Sequence, residues 1–127
     1  MSEYRDETRL EHMLEAVRRI RRMSDGLRRE QLAADDEKTM ALAYQFVVLG
    51  EAANRISASC AAVHPEVDWA GVAGFRHRLV HGYDQVDYDV MWHILESDIP
   101  ALLPKLEEIV ARLPPAPSQP KNLMMFF

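Results

Sequence analysis

The chain has 127 residues and a net charge of −5, with 48% apolar and 28% charged residues, which suits one globular domain with one core and excludes a disordered chain. A single cysteine, Cys60, excludes an intramolecular disulfide and a cysteine-based zinc site. The first thirty residues are laced with Arg and Glu, and no stretch approaches a membrane span, so the expected setting is a reducing cytoplasm without signal peptide or membrane.

The charge is uneven. Residues 1–30 hold eight arginines against seven acids, and the rest of the chain is strongly acidic. Such a balance argues against coating nucleic acid through bulk electrostatics, yet leaves room for a local basic pocket.

In chain order the pattern is helical. Leu10, Met13, Leu14, Val17 and Ile20 recur at the spacing of three and four that marks one helix face, with Arg18, Arg19, Arg21 and Arg22 on a solvated side. Gly26 closes this helix, and a short extra helix is possible near residues 28–33. Asp35 is suited to cap the next helix, with Asp36 and Glu37 at its positive end. That helix is expected to run unbroken through "EKTMALAYQFVVLGEAANRISASC", burying the stripe Met40, Tyr44, Val47. The stripe continues to Glu51, a carboxylate that is costly there unless paired or beside a solvated cleft.

Pro65 breaks the pattern and Asp68 can cap a third helix starting at Trp69. Its expected buried stripe is Trp69, Val72, Ala73, Arg76, Leu79 and Val80, with Gly82 as the stop. A last helix starts near Asp87 and should kink or restart at Pro100. No strand-like alternation is evident. The expected fold is all-α, an antiparallel four- to five-helix bundle, with a single domain over residues 1–113 and a proline-rich tail over 114–127.

The densest chemistry lies in "RHRLVHGY", residues 76–83. His77 and His81 stand four apart, but a zinc-protease pattern needs Glu after the first His, and here arginines flank it. Neither a metal site nor a Ser or Cys nucleophile is expected, and no phosphate-binding glycine loop or other cofactor site is present in the sequence. Arg76, His81 and Tyr83 remain. On one straight helix, five residues at about 100° each separate Arg76 from His81 by roughly 140°. A frayed helix end or a two-fold partner would bring them together. A histidine near neutral pKa and a bidentate guanidinium suit metal-free RNA cleavage. An ordinary structural explanation stands beside this. His81 would be a capping cation, Arg76 a buried partner of Glu51, and Tyr83 a core-edge residue with a wet hydroxyl.

Arg76-x-x-x-x-His81-x-Tyr83, within "FRHRLVHGYDQVDYDVMW", resembles the signature of HepT toxins in the HEPN superfamily. These show an R-N-x-L-V-H-G-Y stretch, an aspartate-rich turn and an aromatic opening the last helix. "QFVVLGEAANRIS" is similar to the family's second block and "DIPALLPKLEEI" to its closing helix, so the resemblance stops only at the tail. His77 departs from the commoner asparagine.

The resemblance implies an all-α HEPN-like fold that dimerises through the motif-bearing helices, two motifs facing one cleft. It implies a toxin of a type II toxin–antitoxin system, acting as a metal-independent endoribonuclease. Carried over, Arg76 and His81 form the catalytic pair, with His77 and Glu51 in support. The implied partner is an MNT-type nucleotidyltransferase antitoxin that transfers AMP from ATP to Tyr83, blocking the cleft with a bulky anion. The alternative is a non-catalytic helical dimer that binds a nucleotide or a partner.

Overall fold

A computed structural model describes residues 2–81 and 85–114, with side chains from residue 5 onward. Eight α-helices and one small hairpin follow in order: α1 (Ser2–Ser24), α2 (Gln31–Ala34), α3 (Asp36–Asn54), α4 (Ala58–Val63), α5 (Trp69–Ala73), α6 (Phe75–Leu79), β1 (Val80–His81), β2 (Gln85–Val86), α7 (Tyr88–His93) and, after a π-helical turn at Ile94–Asp98, α8 (Ile99–Ala111). The fold is all-α apart from that hairpin. The proline-rich tail beyond residue 114 lies outside the described residues.

The expected stripe of α1 is the core. Leu10, Met13, Leu14, Val17 and Ile20 are all buried, and α1 packs between α3 and α8. The arginines on its other faces are exposed, and Arg18 and Arg19 meet Glu107 and Glu15. Gly26, just past the helix end, has a φ of 71°, a left-handed turn that glycine adopts without a Cβ penalty.

Helix α3 starts as its sequence indicates, with Asp35 accepting from the Lys38 N–H. It buries a different face from the one expected. Leu42, Phe46 and Leu49 are buried, whereas Met40 and Tyr44 are 59% and 64% exposed. Glu51 is exposed as well, so no carboxylate enters the core. The row Met40–Tyr44–Val47–Glu51 instead forms an outward ridge of mixed character.

The helix also ends earlier than expected, at Asn54. Ser57 caps a separate helix, α4, accepting from the Cys60 N–H. The buried Asp6 carboxylate of α1 holds this corner: it accepts from the Ser57 N–H at 2.9 Å and from the Ser57 hydroxyl at 2.6 Å. The Ser57 N–H thus goes to a carboxylate 51 positions away in sequence and not to a carbonyl of a continuing α3. Cys60 is half-buried against the core, and burial, then the Asp6 charge, push its thiol pKa up.

Gly50 sets how close α3 comes to α5. A Cβ there would sit 3.2 Å from the Ala73 carbonyl oxygen and 3.4 Å from that of Val72. Beyond that contact, Phe46 of α3 meets Phe75 of α6 edge-to-face, with ring centroids 5.8 Å apart. The expected restart at Pro100 is seen: α7 gives way to the π turn before α8 begins at Ile99, and α8 also carries Pro104 in its interior. The Ile99 N–H bonds back to the Ile94 carbonyl in a widened turn, and α8 resumes with Pro100 in its first turn. The π turn makes room for a residue that has no N–H to donate.

Candidate functional site

The helix that opens at Trp69 is two helices. Asp68 caps α5 as expected, accepting from the Gly71 N–H, but the helix yields at Gly74 and α6 restarts for five residues. Phe75 and Leu79 are the buried anchors of α6. Between them Arg76, His77 and Arg78 are all exposed. Arg76 therefore does not lie on the buried stripe. The break at Gly74 resets which face of the following turn meets the core.

Chain direction changes again before His81. Val80 is extended, and β1 pairs antiparallel with β2 so that Val80 faces Val86 and His81 faces Gln85. A helical wheel thus stops applying at Leu79, and the separation computed for a straight helix does not describe Arg76 and His81. His81 is also not a helix cap: the capping position is Val80.

Asp87 organises this end of the motif. Its N–H donates to the Leu79 carbonyl at 2.7 Å, closing the hairpin onto α6. One carboxylate oxygen caps α7 by accepting from the Val90 N–H at 3.1 Å. The other lies 3.5 Å from Nε2 of His81. The imidazole itself is largely open to solvent, while the carboxylate is more enclosed. An accessible imidazole oriented by a fixed carboxylate is the usual arrangement for a proton-transfer group. The sequence indicated Asp87 only as a helix start; its part in holding His81 depends on the hairpin.

On the other side of α6, Arg76 and His77 line a groove of about 340 Å³ with Val47, Gly50, Glu51 and Asn54 of α3. Glu51 is therefore beside the motif, at a solvated cleft. The buried Arg76–Glu51 ion pair is not formed, since both side chains are exposed. Arg78 points elsewhere, stacked 5.9 Å over the Phe75 ring and 3.7 Å from Asp98 on the π turn. The structure brings Arg76, His77 and Glu51 into one groove and puts His81 on the adjoining hairpin with Asp87. Tyr83 lies outside the described residues.

The chain is an all-α domain with an exposed Arg-His helix and a histidine beside an aspartate on the following hairpin. The sequence of residues 13–109 matches the family described as ribonuclease HepT-like. The chain belongs to that family, whose named activity is ribonuclease. It is 31% identical over 100 residues to a protein of Thermococcus cleftensis named "Probable ribonuclease HepT", covering 79% of this chain and 91% of that one. It is 28% identical over 103 residues to a "Putative RNase" of Caldanaerobacter subterraneus, covering 81% of this chain and 92% of the relative. A third relative, a "Putative RNase" of Methanocaldococcus jannaschii, is 26% identical over 98 residues, or 77% and 81% of the two chains. No solved structure matches the chain at comparable significance. Among the described residues, no helix is long and apolar enough to cross a membrane.

Proposed function

We propose that this chain is the toxin of a HepT/MNT-type toxin–antitoxin pair and cleaves RNA without a metal, with His81 moving the proton and Arg76 holding the phosphate. The observation that carries the reading is the His81–Asp87 pair, 3.5 Å apart, on the turn that follows an exposed Arg76. Neutral His81 accepts the proton of a ribose 2′-hydroxyl as its oxygen attacks the adjacent phosphorus. The bond to the 5′-oxygen breaks, leaving a 2′,3′-cyclic phosphate, and that oxygen takes a proton from a protonated imidazole. Arg76 offsets the charge that builds on the phosphoryl oxygens.

One imidazole does not hold both protonation states at once. A homodimer with two motifs in one cleft supplies both, and α6 is short and exposed enough to meet a second copy. His77 and Glu51 support the site from the same groove as Arg76. Tyr83, two residues beyond His81, is the proposed acceptor of AMP from an MNT-type nucleotidyltransferase, which would place an anion where the RNA phosphate binds. The proposed setting is the cytoplasm.

The test is incubation of purified protein with a tRNA pool in chelator. Cleavage is expected, and His81→Ala or Arg76→Ala should reduce it by about 10² or more while the proteins stay folded. A folded His81→Ala protein that cleaves at the parental rate sinks the assignment. Absence of cleavage with measurable nucleotide binding would favour a non-catalytic binding dimer.

A further inference from the structure

A second groove lies on the far side of the α3 ridge, between α1 and α3. It is the larger of the two, about 630 Å³ against about 340 Å³. Arg5, Arg9 and His12 enter it from α1, Tyr44 and Glu51 from α3, and Arg55 from just past the end of α3. The spacings 5, 9, 12 and 44, 51, 55 each mark one face of a helix, so two facing rows line the groove.

Its electrostatics run against the rest of the molecule. On a chain with a net charge of −5, three arginines and a histidine meet a single carboxylate, Glu51, among the described lining residues. Among the described residues, no ion pair engages Arg5, Arg9 or Arg55. The ion pairs of the described residues engage Arg18, Arg19, Arg28, Arg29, Arg78 and Arg112, whereas Arg9 donates to the Arg55 backbone carbonyl at 2.7 Å. That bond fixes one guanidinium across the groove while leaving its other donors available. Beside them the Tyr44 ring is 64% exposed.

Guanidinium groups free of ion pairs among the described residues, interleaved with an open aromatic residue, form a platform for single-stranded nucleic acid. The groove also joins the motif, because Val47 and Glu51 line both it and the groove of Arg76 and His77. A second copy of the chain is the poorer occupant. A two-fold contact through this patch would set arginine against arginine.

We propose that the α1–α3 groove is the track on which single-stranded RNA lies before it reaches the motif: Arg5, Arg9 and Arg55 hold successive phosphates and Tyr44 stacks a base. This rests on the ribonuclease reading for the identity of the strand. Glu51 marks where the track crosses the ridge.

The experiment measures binding without cleavage. A fluorescently labelled 2′-O-methyl single-stranded oligonucleotide lacks the attacking hydroxyl, and its anisotropy is followed from 50 to 200 mM salt. The double substitution Arg9→Gln/Arg55→Gln should weaken binding and lower the magnitude of the salt slope by about 1.4, since each lost phosphate contact removes about 0.7. Tyr44→Ala should weaken binding about tenfold with the slope unchanged. Arg112→Gln, on the exposed end of α8, should match the parent. Arg5→Gln, on the exposed first turns of α1, is the substitution to use if the double variant does not fold, with a slope change of about 0.7.

A parent that does not bind the oligonucleotide overturns the proposal. So do variants that keep parental affinity and slope, or that alter only the oligomeric state. A parent that binds with these effects but cleaves nothing leaves the track standing and removes the ribonuclease reading. A parent that cleaves while its binding ignores the variants removes the track alone.

Discussion

His81 and Asp87 face each other across a two-rung hairpin, Nε2 lying 3.5 Å from a carboxylate oxygen whose twin caps α7. One aspartate thus ties the orientation of an exposed imidazole to the start of a helix. On the proposed mechanism Asp87 acts through His81, as a positioning residue.

Asp87→Asn separates these two tasks. An asparagine oxygen still accepts from the Val90 N–H, so thermal stability should stay within about 0.5 kcal/mol of the parent. The carboxylate beside His81 is lost while the cap is kept, so cleavage should fall chiefly in kcat, with KM for RNA near the parental value. Asp87→Ala should add a loss of about 1 kcal/mol from the missing cap. An unchanged kcat in a folded Asp87→Asn protein would show that the pair is only structural.

Gly50→Ala tests the spacing between α3 and the motif. The new Cβ would stand 3.2 Å from the Ala73 carbonyl oxygen, which belongs to backbone that cannot swing aside as a side chain does. The expected cost is about 1–3 kcal/mol, the usual range for overpacking. Calorimetry would give the stability change. Because Phe75 follows directly after this segment, cleavage should fall further than stability alone accounts for.

The Asp6–Ser57 corner should behave as a coupled unit. Asp6→Ala leaves two Ser57 donors without their acceptor and is expected to cost about 1–3 kcal/mol. Ser57→Ala removes the cap of α4 as well, at about 1 kcal/mol. A denaturant-based double-mutant cycle should give a non-additive term of about 0.5 kcal/mol or more.

Cys60 gives a pH dependence with a defined sign. Burial, then the Asp6 charge, raise its thiol pKa in the folded chain, so alkylation of the native protein should lag behind that of an unfolded control. The unfolded thiol ionises first as pH rises. The contribution to stability is therefore complete below the ordinary thiol pKa and is lost as pH climbs through the raised one. Cys60→Ala should flatten that alkaline part of the stability curve. Equal alkylation rates for native and unfolded chains would contradict the burial.

Co-expression with an MNT-type nucleotidyltransferase should add the mass of one AMP to the chain. Tyr83→Phe should abolish the increase, as read by intact-mass spectrometry. A retained mass increase would place the modification elsewhere.

Much of the scaffold was legible where residue chemistry acts locally. The caps at Asp35, Asp68 and Asp87, the turn at Gly26 and the buried stripe of α1 all follow from nearest-neighbour rules. The face of α3 was not legible, because that helix is apolar on two sides. Leu42, Phe46 and Leu49 compete with Met40, Tyr44 and Val47, and only the positions of α1 and α6 decide between the rows. The sequence offers Arg76 and His81 as candidates, but not the geometry that the structure gives them. A glycine at 74 and the two valines at 80 and 86 are slight signals for a helix break and a two-rung hairpin, and the pairing is non-local.

Asp6 has one more consequence, for the handedness of charge on α1. It sits between Arg5 and Arg9, facing inward while those two face the groove. A slip of α1 by one residue would put Arg5 or Glu7 at the corner that Ser57 completes and turn the Asp6 carboxylate away from it. The buried acid therefore acts as an index pin: it sets the rotation of α1 and, with it, the sign of the surface that the molecule shows to an approaching polyanion.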